Sequence, residues 1–196
     1  MITGILLAAG AGRRFGGQKL LQPLADGVPV VIKAARSLSG AVDQVVAVIR
    51  PGEHQLARLL AAQGATITVY PTADQGMGTS LAWGVCASAD ADGWLVALGD
   101  MPFIRARTSQ QIAEQLRHGA LLAAPTYAGR RGHPVGFARI FGARLRRLSG
   151  DRGARTLLRQ YQECLTLVST TDPGILLDID LPEDLAVLSD AVQGYP

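Results

Sequence analysis

Short apolar runs alternate with stretches of helical spacing along the whole chain, and this alternation limits the fold more than any other feature. Ile2 to Ala8 and Trp94 to Leu98 are almost uninterrupted apolar runs, as in parallel strands that are covered on both faces. Pro29 to Leu38 and Glu53 to Ala62 each follow a strand-like run and carry apolar residues at helical spacing. The pattern predicts one α/β domain over residues 1–196, with a three-layer, doubly wound and mostly parallel sheet between helices.

The C-terminal third is expected to add shorter elements. We predict strands over Ala120 to Ala124, Pro134 to Ala138, Leu165 to Val168 and Ile175 to Leu177, and a last helix from Pro182 to Ala191. In a doubly wound sheet, ligands bind outside the carboxyl ends of the strands. The loops that follow strands are therefore where function is expected.

The composition is that of an ordinary globular protein and argues against several functional classes. Hydrophobic residues make up 48% and charged residues 18%, and the net charge is +3. The arginine-rich spots are short and lack interleaved aromatic residues, so no nucleic acid partner is expected. Every apolar run is far shorter than the roughly 20 residues of a membrane span. The mildly basic charge fits small anionic ligands better than a nucleic acid. Cys86 and Cys164 lie far apart and outside any metal-ligand pattern, and the start has no basic leader, so we expect a cytoplasmic protein.

The loop after the first strand is rich in glycine but matches neither of two familiar motifs. A dinucleotide fingerprint would need a third glycine where Phe15 stands, although Gly10 and Gly12 fit. A P-loop would need lysine directly after its second glycine, whereas Gln18 precedes Lys19. Glycines still let backbone N–H groups approach an anion, and basic side chains can grip phosphate. We interpret the loop as a phosphate site; the alternative is a plain turn with solvated basic residues.

Two later loops carry carboxylates, and the chemistry of the first, Asp100, points to a metal ion. Asp100 ends the strongest predicted strand, and Asp180 precedes the last helix. Hard oxygen ligands suit Mg²⁺, which is usually held by one or two carboxylates together with substrate phosphates. The alternative for both residues is a turn or helix-capping role. Asp178 lies two residues from Asp180 and stays open as an additional ligand.

These segments together resemble a known family. Leu-Ala-Ala-Gly-x-Gly-x-Arg-x-Gly-x-x-Lys, from Leu7 to Lys19, is similar to the signature of the MobA-like nucleotidyltransferases, and three later segments fall in the family's order. The Ala-Ala-Gly form resembles the molybdenum cofactor cytidylyltransferases more than the guanylyltransferases. The segment Gly150 to Arg155 also recurs in that branch, with Asp151 open as a cap of the following helix.

The resemblance implies a Rossmann-like nucleotidyltransferase fold and assigns roles residue by residue. It implies a nucleotide site made of Leu7, Ala8, Ala9, Gly10, Gly12, Arg14, Gly16, Lys19, Gly76, Gly78 and Ser80. It implies catalytic roles for Lys19, Arg14 and Asp100, and Mg²⁺ bound by Asp100 and Asp180. It implies an acceptor site with Arg131, His133 and Gly136. From the residues alone, a capped helix start around Gly76 and a solvated turn around His133 remain open.

The expected function is therefore Mg²⁺-dependent transfer of CMP from CTP to molybdopterin, with release of pyrophosphate. The partner that this implies is a molybdoenzyme or its chaperone, in a transient contact. One alternative is the same chemistry with GTP or on another phosphorylated acceptor. A second is a nucleotide-binding or cofactor-binding module without catalysis, which the intact Lys19 and both carboxylates disfavour. A third is a nicotinamide oxidoreductase, which the failed fingerprint spacing disfavours.

Overall fold

In the computed structural model, which describes residues 1–10, 12, 14–72, 76–151 and 153–186, eight strands form one mixed sheet. The strands are β1 (Ile2–Leu7), β2 (Gln44–Ile49), β3 (Thr66–Val69), β4 (Gly93–Leu98), β5 (Leu122–Tyr127), β6 (Arg130–Arg131), β7 (Val135–Ala138) and β8 (Leu165–Ser169). The α-helices are α1 (Val30–Ser39), α2 (His54–Ala62), α3 (Met77–Cys86), α4 (Ala106–Arg117), α5 (Gly142–Leu145) and α6 (Arg155–Gln160). Short 3₁₀ helices occupy Lys19–Leu21, Arg139–Phe141, Gln162–Cys164 and Pro173–Leu176. Strands and helices alternate from β1 to β5, as the sequence predicts, whereas β5, β6 and β7 follow one another without a helix between them.

The strand order places β1 in the middle of the parallel part of the sheet. The order is β3-β2-β1-β4-β7-β5-β6, and β8 pairs with β5. β1 pairs in parallel with both β2 and β4, so that Leu7 lies opposite Val48 on one side and Leu98 on the other. β7 is antiparallel to β4 and β5, while β8 is parallel to β5. The loops after β1, β2 and β4 therefore open at the same edge of the sheet.

The sheet has a hydrophobic core on each face, as expected for a three-layer fold. Successive residues of β1 point to opposite faces: Leu6 packs in one core with α1, and Ile5 packs in the other with α3. The same alternation separates Leu95 from Val96 in β4. Both faces of these central strands are buried, which explains their continuous apolar runs.

Three expectations for the C-terminal third need correction or fall partly outside the described residues. The predicted strand at Ile175 to Leu177 is instead the 3₁₀ helix Pro173–Leu176, because the Asp172 carboxylate accepts from the Gly174 N–H at 3.0 Å and Pro173 cannot donate to a ladder. The strand predicted from Ala120 begins at Leu122 and runs to Tyr127. The last helix is present at residues 184–186, and its predicted remainder lies outside the described residues.

None of the helices in the described part of the chain is both long enough and apolar enough to cross a bilayer.

Candidate active site

The loops after β1 and β4 begin side by side. The Gly99 N–H donates to the Leu7 carbonyl oxygen at 2.9 Å, directly beyond the last paired residues of the two strands. A Cβ on Gly99 would lie 3.1 Å from that same oxygen, so the close approach favours glycine. The glycine-rich loop and the loop that carries Asp100 therefore leave the sheet together.

Lys19 is the centre of a charge cluster that joins three distant segments. Its Nζ lies 2.7 Å from Asp100 Oδ2 and 3.5 Å from Asp180 Oδ1. These two oxygens are consequently no more than 6.2 Å apart, the sum of the two distances. Only 11% of the Lys19 side chain is exposed, so the ammonium is held against the carboxylates and away from bulk water. The structure brings together the lysine and both carboxylates that the sequence singles out.

Arg14 completes this cluster from the solvent side. Its Nη1 donates to Asp180 Oδ2 at 2.6 Å, while 76% of its own side chain remains exposed. The Ile179 N–H donates to the Asp100 carbonyl oxygen at 2.9 Å, which fixes the two acidic loops to each other. The arrangement places one exposed and one largely buried cation at the two acidic loops.

The helix-capping alternative for Asp180 is not what the geometry shows. The Asp184 carboxylate accepts from the N–H groups of Asp180 and Leu181, both at 2.8 Å. The Asp184 side chain thus accepts from N–H groups at the start of its own helix, as in a capping box. The Asp180 carboxylate turns instead to Arg14 and Lys19.

Asp178 lies beside the same cluster. Partial burial raises the pKa of its carboxyl, the negative charges of Asp100 and Asp180 raise that pKa further, and Lys19 acts in the opposite direction. A third carboxyl is thus held next to the two predicted ligands, in surroundings that disfavour another negative charge unless a cation is added.

A cavity of about 510 Å³ opens at this edge of the sheet. It is lined by eight of the residues predicted to bind nucleotide: Leu7, Ala8, Ala9, Gly10, Gly12, Lys19, Gly76 and Ser80. Asp100 lines it as well. The other three, Arg14, Gly16 and Gly78, do not belong to the lining; Arg14 and Gly16 are exposed and Gly78 is buried. A nucleotide has the size and polarity for such a cavity, whose lining combines charged and apolar side chains.

The backbone of the first loop depends on its glycines. Gly12 has φ +57°, and a Cβ there would lie 2.8 Å from the Gly17 carbonyl oxygen. The N–H groups of Phe15 and Gly16 both donate to the Gly12 carbonyl oxygen at 3.1 Å. The loop is therefore a tight turn that exposes main chain to the cavity and returns the chain to Lys19.

The predicted acceptor residues are not equally placed. Arg131 is exposed on β6. His133 is partly buried; its ring donates to the Val96 carbonyl, and its Nδ1 is buried without a hydrogen-bond partner among the described residues. Gly136 lies inside the sheet between Leu95 and Ala123, where a Cβ would be 3.1 Å from the Leu116 side chain, so its place is explained by packing.

Comparison with known proteins decides which of the α/β families this is. A model of the MobA-like NTP transferase domain matches residues 4–164. The chain belongs to the MobA-like NTP transferase family. It is similar to nicotine blue oxidoreductase of Paenarthrobacter nicotinovorans, at 32% identity over 94% of each chain. It is also similar to the purine catabolism protein PucB of Bacillus subtilis, at 30% identity over 93% of each chain.

Solved structures agree with this assignment. A nucleotidyl transferase from Methanothermobacter superposes with a TM-score of 0.83 at 25% identity, covering 98% of each chain. Rv0371c of Mycobacterium tuberculosis, solved as a complex with manganese, superposes with a TM-score of 0.80 at 26% identity, covering 97% of this chain and 98% of its own. The present MobA-like protein is a nucleotidyltransferase of the same fold.

The carboxylates of this MobA-like transferase fit a divalent cation. Asp100 and Asp180 offer hard oxygen donors, and the Lys19 ammonium already lies against both as a positive charge. Among the described residues, no group of three or more His, Cys, Asp or Glu side chains is arranged to hold a metal ion. Two carboxylates would suffice for Mg²⁺, which keeps several waters and binds substrate phosphates.

Sequence reasoning missed several residues on the cavity wall of this transferase. Arg50 and Glu53 follow β2, and both line the cavity. Asp151 also lines it, although the sequence suggests a helix cap. Arg50 and Glu53 could have been predicted, because the loop after β2 lies at the carboxyl ends of the strands, where a doubly wound sheet binds its ligands. The place of Asp151 depends on a tertiary contact that no local pattern encodes.

Proposed function

We propose that this MobA-like transferase moves CMP from CTP to a phosphorylated acceptor of the molybdopterin type, with Mg²⁺ bound by Asp100 and Asp180. The observation that carries the proposal is the cluster in which Lys19 lies 2.7 Å from Asp100 and 3.5 Å from Asp180, at the charged end of the cavity. Phosphoryl-type transfer depends mostly on positioning and on charge neutralisation, which such a cluster supplies.

The chemistry assigns each of these side chains a task. An oxygen of the acceptor phosphate attacks the α-phosphorus of the nucleotide in line, the new O–P bond forms, and the bond to the β-phosphate breaks. The second pKa of a phosphate monoester is near 6, so the acceptor is largely dianionic at pH 7 and needs no strong base. Lys19 and Arg14 turn from the carboxylates to phosphate oxygens and neutralise charge on the leaving pyrophosphate. Asp100 and Asp180 would hold Mg²⁺, which would supply further positive charge to stabilise the phosphates.

The preference for CTP rests on Ala9 and on the resemblance to cytidylyltransferases. Ala9 is buried and lines the cavity. By the resemblance, the guanylyltransferases of the family carry a glycine at this position. A methyl group there narrows the space for a purine ring. A small steric difference of this kind is worth about 1–3 kcal/mol in discrimination.

The acceptor side is proposed around Arg131 and His133. Arg131 is exposed and offers a planar, doubly donating group for an anion. Asp100 is among the charges that influence the His133 ring, so this histidine lies towards the metal-binding carboxylate. A molybdopterin phosphate is an anion of the kind that these groups would bind.

A nucleotide screen tests the proposal. The four ribonucleoside triphosphates are added with and without Mg²⁺, and the melting temperature is measured. We expect CTP with Mg²⁺ to raise it most, because a ligand that binds only the native state stabilises it by about 2.7 kcal/mol at 100 times its dissociation constant. A protein that responds to none of the four would contradict the proposal.

One relative supports a second candidate. The similarity to nicotine blue oxidoreductase raises oxidoreductase activity as a possibility for this chain. The first loop lacks the third glycine of a dinucleotide fingerprint, with Phe15 in its place. If the second candidate holds, NADH or NADPH rather than CTP will raise the melting temperature.

A further inference from the structure

The loop before α6 is packed on the first turn of α3, and it carries an acidic residue into the cavity. The Gly78 N–H donates to the Gly150 carbonyl oxygen at 2.8 Å. Gly76 has φ +102°, and a Cβ there would overlap Asp151 Oδ1 and the Gly150 backbone. A Cβ on Gly78 would lie 2.8 Å from the Gly150 oxygen. Two glycines thus allow the loop to approach closely enough for Asp151 to line the cavity.

Asp151 has no structural task that accounts for its place. α6 begins at Arg155 with Ala154 as its N-cap residue and without a side-chain capping bond, so Asp151 does not cap it. Within the described part of the chain, its carboxylate forms no hydrogen bond and no ion pair, and the residue is exposed to the cavity. In a cavity that binds anions, an exposed carboxylate can favour binding only if the ligand donates a hydrogen bond to it.

The position within the cavity limits which part of a nucleotide this donor belongs to. Asp151 lies at the start of α3, which packs against β1 and β2, whereas Asp100 follows β4 on the other side of β1. A lone carboxylate would repel phosphate groups. It would accept well from the neutral O–H and N–H groups of a nucleoside.

We propose that Asp151 is a specificity residue that accepts a hydrogen bond from the nucleoside part of the bound nucleotide, which rests on the nucleotidyl-transfer function proposed above. The neutral donors that a cytidine offers are the ribose 2′-hydroxyl, the ribose 3′-hydroxyl and the 4-amino group of the base. Carboxylates accept from ribose hydroxyls and from the cytosine amino group in other proteins, so the chemistry is the same for each source.

The test measures dissociation constants by calorimetry for the Mg²⁺ complexes of CTP, 2′-deoxyCTP, 3′-deoxyCTP and UTP. Each is titrated into the wild type, Asp151→Ala and Asp151→Asn. The matched control is Asp90→Ala, which removes one acidic side chain from an exposed turn outside the cavity lining. The loss of a hydrogen bond to a charged group should weaken CTP binding about 10- to 100-fold in Asp151→Ala. Asp151→Asn keeps one acceptor oxygen and should fall between this variant and the wild type.

The analogue that lacks the recognised donor identifies its source. That analogue should bind the wild type and Asp151→Ala with nearly equal affinity, whereas the other nucleotides keep the loss. The proposal would be overturned if Asp151→Ala bound all four nucleotides equally more weakly, or if it bound CTP as the wild type does. If equal weakening came with a lower melting temperature, Asp151 would instead contribute to the stability of α3. If the wild type binds no nucleotide, the nucleotidyl-transfer function itself fails. If the wild type binds CTP and the variants bind it with the same affinity, only the role of Asp151 fails.

Discussion

The ammonium of Lys19 lies 2.7 Å from the carboxylate of Asp100, although 81 residues separate the two in the chain. The contact joins the loop after β1 to the loop after β4, and Asp180 shares it at 3.5 Å. In the free protein the cation proposed to bind phosphate and the carboxylates proposed to bind the metal ion therefore neutralise each other. When a metal ion binds the carboxylates, Lys19 is released to bind phosphate, and when a nucleotide binds Lys19, the carboxylates are released to bind the metal ion. The two ligands should therefore favour each other's binding.

Lys19→Ala and Arg14→Ala should both weaken nucleotide binding but differ in stability. Lys19 is only 11% exposed, so its loss leaves two carboxylates without their shared cation and should cost about 1–3 kcal/mol of unfolding free energy. Arg14 is 76% exposed, and its loss should change stability by less than about 0.5 kcal/mol. Denaturant unfolding and CTP titration of both variants check this, with Lys33→Ala as a control for an exposed ion pair. Normal CTP binding in both variants would show that the loop does not hold phosphates.

Asp100→Asn and Asp180→Asn should each reduce the stabilisation that Mg²⁺ and CTP give together. If the two carboxylates were simply like charges in a cleft, as the sequence alone suggests, either change would relieve their repulsion and leave metal-free stability equal or higher. In the structure both carboxylates are paired with cations, so metal-free stability should instead stay equal or fall slightly. Thermal unfolding with and without Mg²⁺ and CTP measures both effects. Full activity in Asp180→Asn would move the second ligand to Asp178.

Ala9→Gly should broaden the nucleotide preference. Removal of the methyl group enlarges the cavity at a buried position that lines it. The ratio of kcat/KM for GTP to that for CTP should rise by about 10-fold or more, which corresponds to the lower part of the 1–3 kcal/mol range for a small steric change. Steady-state kinetics with both nucleotides measure the ratio. An unchanged ratio would remove Ala9 from the specificity argument.

His133 should make the folded protein sensitive to mild acid. Burial lowers the pKa of this ring below its ordinary value of 6.5, while the negative charge of Asp100 acts in the opposite direction. Below pH 6.5 the unfolded chain binds a proton here that the folded protein does not, so the free energy of unfolding falls until the lower pKa of the folded state is passed. His133→Gln should show a smaller loss between pH 7 and pH 5.5 in denaturant unfolding. His118→Gln, an exposed residue at the end of α4, is the control, and equal losses in His133→Gln and the wild type would contradict the prediction.

The sequence predicts the layers of this fold better than it predicts the site. The apolar runs of β1 and β4 and the helical spacing of α1 and α2 are local, so their order and the three-layer arrangement follow from the pattern. The alternative of a plain turn with solvated basic residues fails for Lys19, because Asp100 and Asp180 from two later loops pair with its ammonium and its side chain is only 11% exposed. Asp151 escapes prediction for the same reason, since its place depends on the glycines that begin α3.

The segment around Pro173 shows a local pattern that tertiary contacts override. Ile175 to Leu177 is apolar enough for a strand, but Asp172 binds the Gly174 N–H and is itself held by the Thr108 hydroxyl at 2.6 Å. A Cβ on Gly174 would overlap the Phe103 carbonyl, so this turn is fitted against the loop that follows Asp100. Such a fit involves residues about 70 positions apart and leaves no periodic signal in the sequence.

The most direct test of nucleotidyl transfer follows a label from the α-phosphate of CTP. The protein is incubated with Mg²⁺, α-labelled CTP and molybdopterin, with α-labelled GTP in a parallel reaction and Asp100→Asn as the inactive control. The proposed function predicts that the label moves to the acceptor with release of one pyrophosphate for each label transferred, faster with CTP than with GTP, and not at all in Asp100→Asn. Label that stays in the nucleotide while CTP is bound would contradict catalysis, and equal transfer in Asp100→Asn would contradict the role of the Lys19–Asp100 cluster.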